Sequence, residues 1–479
     1  MKTIFSILFA LVLVVGLGLI IAPPVVAEPG ATYYVSATGD DDTGDGTVGN
    51  PWRTIQKAIN ALNFTGDGDT IMVGAGEYDA FLVEDKANIS IISTEGATIT
   101  TAVFVSDVGG PVEEGWVMAG VSGSENINIE GINFDGTTIS EQVVVGIGYL
   151  DSTGRIAALA VENVIGTLVM GAGVIIADDV GSSDVEITGS NISDNEIGIA
   201  VATYSTQEIR FNNIVNNDYG IRNEGGETPD AIYNWWGDAS GPYHPITNPS
   251  GSGNPVSDGV DFDPWLEAAS VIRTVTDISI NALDEADIIV DVTGTATVII
   301  SKYDSDPHAE ALVDGGGTTV SPLQDEEWID LGKWIEVKPI YYESDTELRI
   351  ELYYKDAELA QAAVVAGRQI DENSLRLRWY DPAEGKPVDC VPPGDVETAT
   401  ITIGEHEYSG YMWVEVDVDS YPSLEEAKQS IETFGGYGHP STDFNGVCGM
   451  ATLADVTPFA IVSVGIAAVW ATKRKGKVS

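Results

Sequence analysis

Residues 185–199 read Val185-Glu186-Ile187-Thr188-Gly189-Ser190-Asn191-Ile192-Ser193-Asp194-Asn195-Glu196-Ile197-Gly198-Ile199, and the pattern returns 22 residues further on. Ile209, Asn213, Ile214, Asn217, Gly220 and Ile221 fall opposite Ile187, Asn191, Ile192, Asn195, Gly198 and Ile199. Earlier copies stand at Asn126-Ile127-Asn128-Ile129-Glu130-Gly131-Ile132-Asn133-Phe134 and, more faintly, at Asn88-Ile89-Ser90-Ile91-Ile92. Alternating runs such as Val185/Ile187 turn one face inward and one outward. Asn and Gly follow at the corners because they tolerate left-handed backbone. A period of this length holds three short strands and three turns. One such coil cannot bury its own apolar face, so coils must stack. The reading is an all-β chain opening with a parallel β-helix, in which Ile192 lies on Ile214 and Asn191 on Asn213. Asn191, Asn213 and Asn234 are expected to form a structural ladder, bonded to each other and to the backbone.

A stacked solenoid must cover its ends. Asn50-Pro51 is expected to open a helix as cap and first residue. Ile55, Ala58, Ile59 and Leu62 then form one apolar stripe over the open end. Tyr33-Tyr34-Val35-Ser36, Gly44-Asp45-Gly46-Thr47 and the run from Asn50-Pro51-Trp52 to Ala58-Ile59 resemble the opening segment of pectin-lyase-like right-handed parallel β-helix proteins. Asn234-Trp235-Trp236-Gly237 and Val260-Asp261-Phe262-Asp263-Pro264-Trp265-Leu266 are similar to the closing segment of exported members. The resemblance covers about residues 32–266 and implies a right-handed helix. It implies no one chemistry, because this fold carries lyases, hydrolases, epimerases, adhesins and non-enzymes.

After residue 268 the 22-residue period is gone. Alternating runs at 271–280, 288–292, 296–300, 334–342, 348–354, 375–380, 398–403 and 411–418 point to antiparallel strands, and 356–368 to one helix. The organisation expected is a signal segment at 1–27, a β-helix domain at 28–268, a β-sandwich-like domain at 269–465 and a basic tail at 466–479. Lys2, the apolar run 4–21 and Val25-Val26-Ala27 read as an export signal cut after Ala27, with an uncleaved anchor as the alternative. Residues 459–472 are uncharged and precede Lys473, Arg474, Lys475 and Lys477. They read as a last strand with a basic tail, or as a weak anchor. Any membrane contact would come through one of these two ends.

The 479 residues carry 74 acidic and 22 basic side chains, a net charge of −52. That excludes nucleic acid as a partner, since phosphate needs Lys and Arg. A 43% hydrophobic content excludes a disordered chain. The acidity fits a high-salt habitat, calcium binding or simple solubility. Cys390 and Cys448 are the two cysteines. Export favours a disulfide between them, with two buried thiols as the alternative.

The candidate chemistry is sparse. A lyase needs cations, and Arg210 and Arg222 lie on neighbouring coils where they could share a face. A glycosidase needs paired carboxylates, and Asp178-Asp179 is the adjacent pair on the predicted coils. The Asn-Thr-Asp, Gly-His-Gly and Arg-Ile-Lys segments of polygalacturonase-like members are absent. Asp40, Asp41, Asp42 and Asp45 form an acidic loop of calcium-binding composition, or a solvated turn. His244 and the Trp235-Trp236 pair are expected to be structural. The glycan contacts expected are Tyr204, Glu208, Arg210, Asp178 and Glu186, on an outward strand face. The leading expectation is an exported or cell-surface protein that binds polysaccharide or envelope material without cleaving it. A lyase or hydrolase acting on acidic polysaccharide, and a purely structural or adhesive role, are the alternatives.

Overall fold

The computed structural model describes residues 30–62, 68–106, 114–141, 143–167, 170–303, 307, 328–429 and 433–441. The expected signal segment, Cys448 and the C-terminal tail lie outside the described residues. The chain opens as a right-handed parallel β-helix of three sheets. One coil runs Asp184–Thr188, Asn191–Ser193 and Ile197–Ala202, in the first, second and third sheets respectively. The next runs Ile209–Arg210, Asn213–Val215 and Tyr219–Asn223. The pairing is in the expected register, with Asn191 on Asn213 and Ile192 on Ile214. Connections between such parallel neighbours are right-handed. Val185, Ile187, Ile192, Ile199, Ile209, Ile214 and Ile221 are all fully buried in the stack.

The corners are set by left-handed residues. Gly131, Ala158, Gly189, Phe211 and Tyr233 occupy successive corners after the first sheet, all with φ between 55° and 67°. Asn191 and Asn213 bond as a ladder, Asn213 Nδ2 donating to Asn191 Oδ1 at 2.8 Å. Asn234 does not extend that ladder. It stacks under Asn212, whose Nδ2 donates to Asn234 Oδ1 at 3.0 Å, because Trp235 is the residue opposite Asn213. A further buried column, Asn195–Asn217–Asn254, joins three more turns.

The N-terminal helix α1 (Ile55–Ala61) starts later than Asn50-Pro51 suggests, with Thr54 as its cap. Trp52 instead extends the chain by bridging Val35 and stacking on Tyr33. Ile55, Ala58, Ile59 and Leu62 are buried, as the stripe requires.

From Val271 two antiparallel sheets face each other across an aliphatic core that includes Val290, Ile300, Val337, Leu352, Met412 and Val414. The run 271–280 is two strands in different sheets, Val271–Thr276 and Ser279–Ala282, broken at Asp277 with φ 53°. The run 398–403 shrinks to Ile401–Ile403, in a small hairpin with His406–Tyr408. Sequence periodicity did not disclose Thr433–Gly438, which joins the larger sheet, because glycines fill half of it. Helix α2 (Asp356–Ala366) buries Ala362 and Ala363; helix α3 (Leu424–Gln429) follows. The larger sheet lies against the corner after the first sheet of the β-helix. Ile299, Tyr303, Trp334, Ile340 and Tyr437 pack there with Ala157, Phe211, Tyr233 and Leu266. Tyr303 meets Phe211 and Tyr233 edge-on at 6.2 and 4.9 Å. Gly189 has no room for a side chain, since a Cβ would stand 2.1 Å from Ile299 Cδ1. No helix among the described residues is long and apolar enough to cross a membrane.

Candidate functional site

Register pairing lines up outward side chains into columns about 4.8 Å per coil. On the first sheet Ser90 pairs with Asn128, Asn128 with Arg155, and Arg155 with Glu186. Glu208, just before Ile209, continues the column and bridges Asp230. Glu130 stands in the neighbouring column. Opposite this polar floor stands the sandwich, with Lys338 and Tyr341 on the strand Ile329–Tyr342 and Lys428 on α3. Floor and wall enclose a groove of about 750 Å³, lined among others by Asn128, Glu130, Arg155, Glu186, Glu208 and Tyr341.

A chain of charges runs along the groove floor. Arg155 lies between Glu130 and Glu186, Nη1 3.6 Å from Glu130 Oε1 and Nε 3.7 Å from Glu186 Oε2. Lys338 Nζ approaches the other oxygen of Glu186 at 3.7 Å. Nε and Nη2 of Arg155 are buried and make no hydrogen bond, so this guanidinium is enclosed between its two glutamates. Burial pushes the Glu130 carboxyl up; Arg155 and Lys428 act against that, and Glu186 adds to it. Glu186 is far more open, its side chain 38% exposed against 8% for Glu130. Asp184 and Glu208 are exposed at the rim.

The expected ligand residues divide between two places. Glu186, Glu208 and Arg210 lie on the first sheet, and Arg210 is paired with Asp230. Asp178 and Tyr204 lie instead at the corner between the third and first sheets. There the Asp178 carboxylate accepts from the backbone N–H groups of Ser183 and Tyr204, at 2.6 and 2.8 Å. Asp178 is therefore a turn residue, and the highly exposed Tyr204 is outside the groove. Asp179 lines a separate, more apolar groove beside the third sheet, with Leu82, Phe104 and Leu150, so Asp178 and Asp179 do not form a catalytic pair. Arg210 and Arg222 do not share a face either. Arg222 is on the third sheet, paired with Glu224, because the 12-residue spacing carries the chain past two corners.

The acidic loop is a set of turns and a cap. Asp40 accepts from the N–H groups of Asp42 and Thr43, and Asp45 from Thr47. Asp41 accepts from the N–H groups of Arg53 and Thr54 and from the Thr54 hydroxyl, holding the start of α1. Hydrogen bonds outweigh desolvation and hold Asp40, Asp41 and Asp45 below the usual carboxylate range. Among the described residues no three His, Cys, Asp or Glu side chains converge to hold a metal. Asp40, Asp41 and Asp45 thus serve the turns of this loop and the start of α1. His244 is buried, with Nε2 3.0 Å from Asp258 Oδ1 and Nδ1 accepting from Thr247 N–H. Trp236 is fully buried and Trp235 half-buried. Cys390 is buried; its expected partner, Cys448, lies outside the described residues.

Sequence reasoning passed over Glu130, Arg155 as a groove residue, Lys338, Tyr341 and Lys428. Arg155 could be found by carrying the Glu186 register back one coil, and Glu130 by carrying the Thr188 register back two. The last three have no signal of their own, as Tyr341 and Lys428 reach the groove, and Lys338 reaches Glu186, only through domain packing.

Residues 37–232 match the model of a family described as a protein of unknown function, DUF1565. The match takes in the coils that carry most of the groove floor. No curated protein matches the chain. Among solved structures, a GH136 lacto-N-biosidase from Eubacterium ramulus is 16% identical, with 42% of this chain and 44% of that one covered at a TM-score of 0.34. XylC, solved in complex with xylose, is 12% identical, with 43% and 66% covered at a TM-score of 0.22. The chain thus spans less than half of the biosidase and about two thirds of XylC.

Proposed function

We propose that this is an exported, cell-surface β-helix protein that holds a polysaccharide chain, or similar envelope material, in the groove without cleaving it. The observation that carries the reading is the column Ser90, Asn128, Arg155, Glu186, Glu208, Asp230, walled by Tyr341. Sugars are held by hydrogen bonds to carboxylates, amides and hydroxyls and by contact with aromatic rings, and this groove offers all of them in one line. The column rises by one coil per step, which suits a linear polymer lying along the stack. Export rests on the N-terminal residues 1–27. The test is a panel of polyuronates and neutral glycans, immobilised for retention and free for cleavage. Retention without chain shortening supports the reading; no retention moves the assignment to a structural or adhesive role.

A second reading, glycoside hydrolysis, draws on Glu130 and Glu186. One carboxyl is pushed up by burial and the other is open and next to cations, the division of labour an acid and a base require. Shortened chains in the same panel, abolished by Glu186→Gln, would establish it.

A further inference from the structure

We infer that the groove selects an uncharged glycan and rejects polyuronates, an inference that rests on the glycan-binding reading above. A carboxylate on every sugar needs a cation with open donors at each step along the floor. The floor does not supply one. Arg155 is enclosed between Glu130 and Glu186, with its side chain 14% exposed. Lys338 is 7% exposed and faces Glu186. Arg210 is paired with Asp230. Lys428 stands on the far wall with Nζ 5.8 Å from the centre of the Tyr342 ring, and one wall cation does not serve every sugar along the floor.

Among the charged groups along this floor the open ones are carboxylates, while Ser90 and Asn128 add neutral donors and acceptors. Glu208 in the Glu186 column and Asp184 in the adjacent one, where it pairs with Thr153, are exposed, and Glu186 is more than a third exposed. Ionised carboxylates accept hydrogen bonds and donate none. They match the hydroxyls of a neutral sugar and repel a uronate. The net charge of −52 acts in the same direction at long range. Tyr341 adds a ring at the wall, so a neutral chain meets acceptors below and an aromatic edge beside it.

The test compares retention of the full-length protein on immobilised neutral β-glucan and on polygalacturonate, at low and at moderate salt. The wild type is expected to hold the neutral chain and not the polyuronate. The double variant Asp184→Asn/Glu208→Gln removes two exposed charges and keeps the backbone pairing of both residues. It should raise polyuronate retention on the order of ten-fold at low salt, with the gain shrinking as salt screens it. A second variant, Tyr341→Ala, should weaken neutral-glycan retention while leaving the polyuronate result unchanged. Melting temperatures confirm that each variant is folded. Wild-type retention of polyuronate equal to that of neutral glycan, or a ratio unmoved by the double variant, overturns the selection. Retention of neither chain overturns the glycan reading itself, a different result from loss of selectivity.

Discussion

Lys338 of the sandwich and Glu186 of the β-helix face each other at 3.7 Å across the domain boundary. The lysine side chain is 7% exposed, so its charge depends on that partner and on the sheet around it. Removing one member of an enclosed pair leaves the other charge poorly compensated. Lys338→Met is therefore expected to cost about 1–3 kcal/mol, at the low end because Arg155 still serves Glu186. Chemical denaturation measures it. The double variant with Glu186→Gln should lose less than the sum of the two single changes.

The two asparagine ladders should differ sharply. Asn217 is buried, and its Nδ2 donates to the Ile192 and Val215 carbonyls and to Asn254 Oδ1. Asn217→Ala strands those carbonyls away from water and is expected to cost about 2–4 kcal/mol. Asn191 is exposed and accepts one bond from Asn213. Asn191→Ala should cost less than about 0.5 kcal/mol. Thermal melts of the two variants side by side check the contrast.

Acid should weaken the sandwich through Asp287. Burial opposes its ionisation, but the ammonium groups of Lys333 and Lys302 outweigh that and hold the carboxyl at about 2. A carboxyl lowered in the folded state stabilises above its unfolded value and loses that contribution as pH falls through the folded one. The window is thus roughly pH 4 down to pH 2, and the contribution about 2 kcal/mol. Asp287→Asn should be less stable than the wild type at neutral pH, and the two should converge near pH 2. Parallel curves across that range would exclude the assignment.

Cys390 is expected to be bonded to Cys448. As a free thiol Cys390 would be pushed up to about 12 by burial and would resist alkylation in the native protein. The informative measurement is alkylation after unfolding without reductant. Unmodified protein, alkylated only after reduction, is the expected outcome; labelling of both cysteines before reduction would show free thiols.

How much was legible beforehand follows from the kind of order involved. Each coil repeats the chemistry of the last, so alternation and corner residues 22 positions apart were enough to place Ile192 on Ile214 and to separate a β-helix from a sandwich. Local repetition is visible in one dimension because the same side-chain environment recurs at a fixed interval. The groove is not of that kind. It forms where the sandwich lies against one corner of the stack, and Tyr341 and Lys428 arrive there from distant, non-repeating segments, as does Lys338 against Glu186. That contact also explains Phe211 and Tyr233, bulky residues at left-handed corners where the pattern predicts Asn or Gly. Their backbone strain is offset by rings packed on Tyr303. Asp178 and Asp41 show the complementary case. Composition marked them as chemistry, and only the three-dimensional path of the chain brought them within reach of the backbone N–H groups that occupy them.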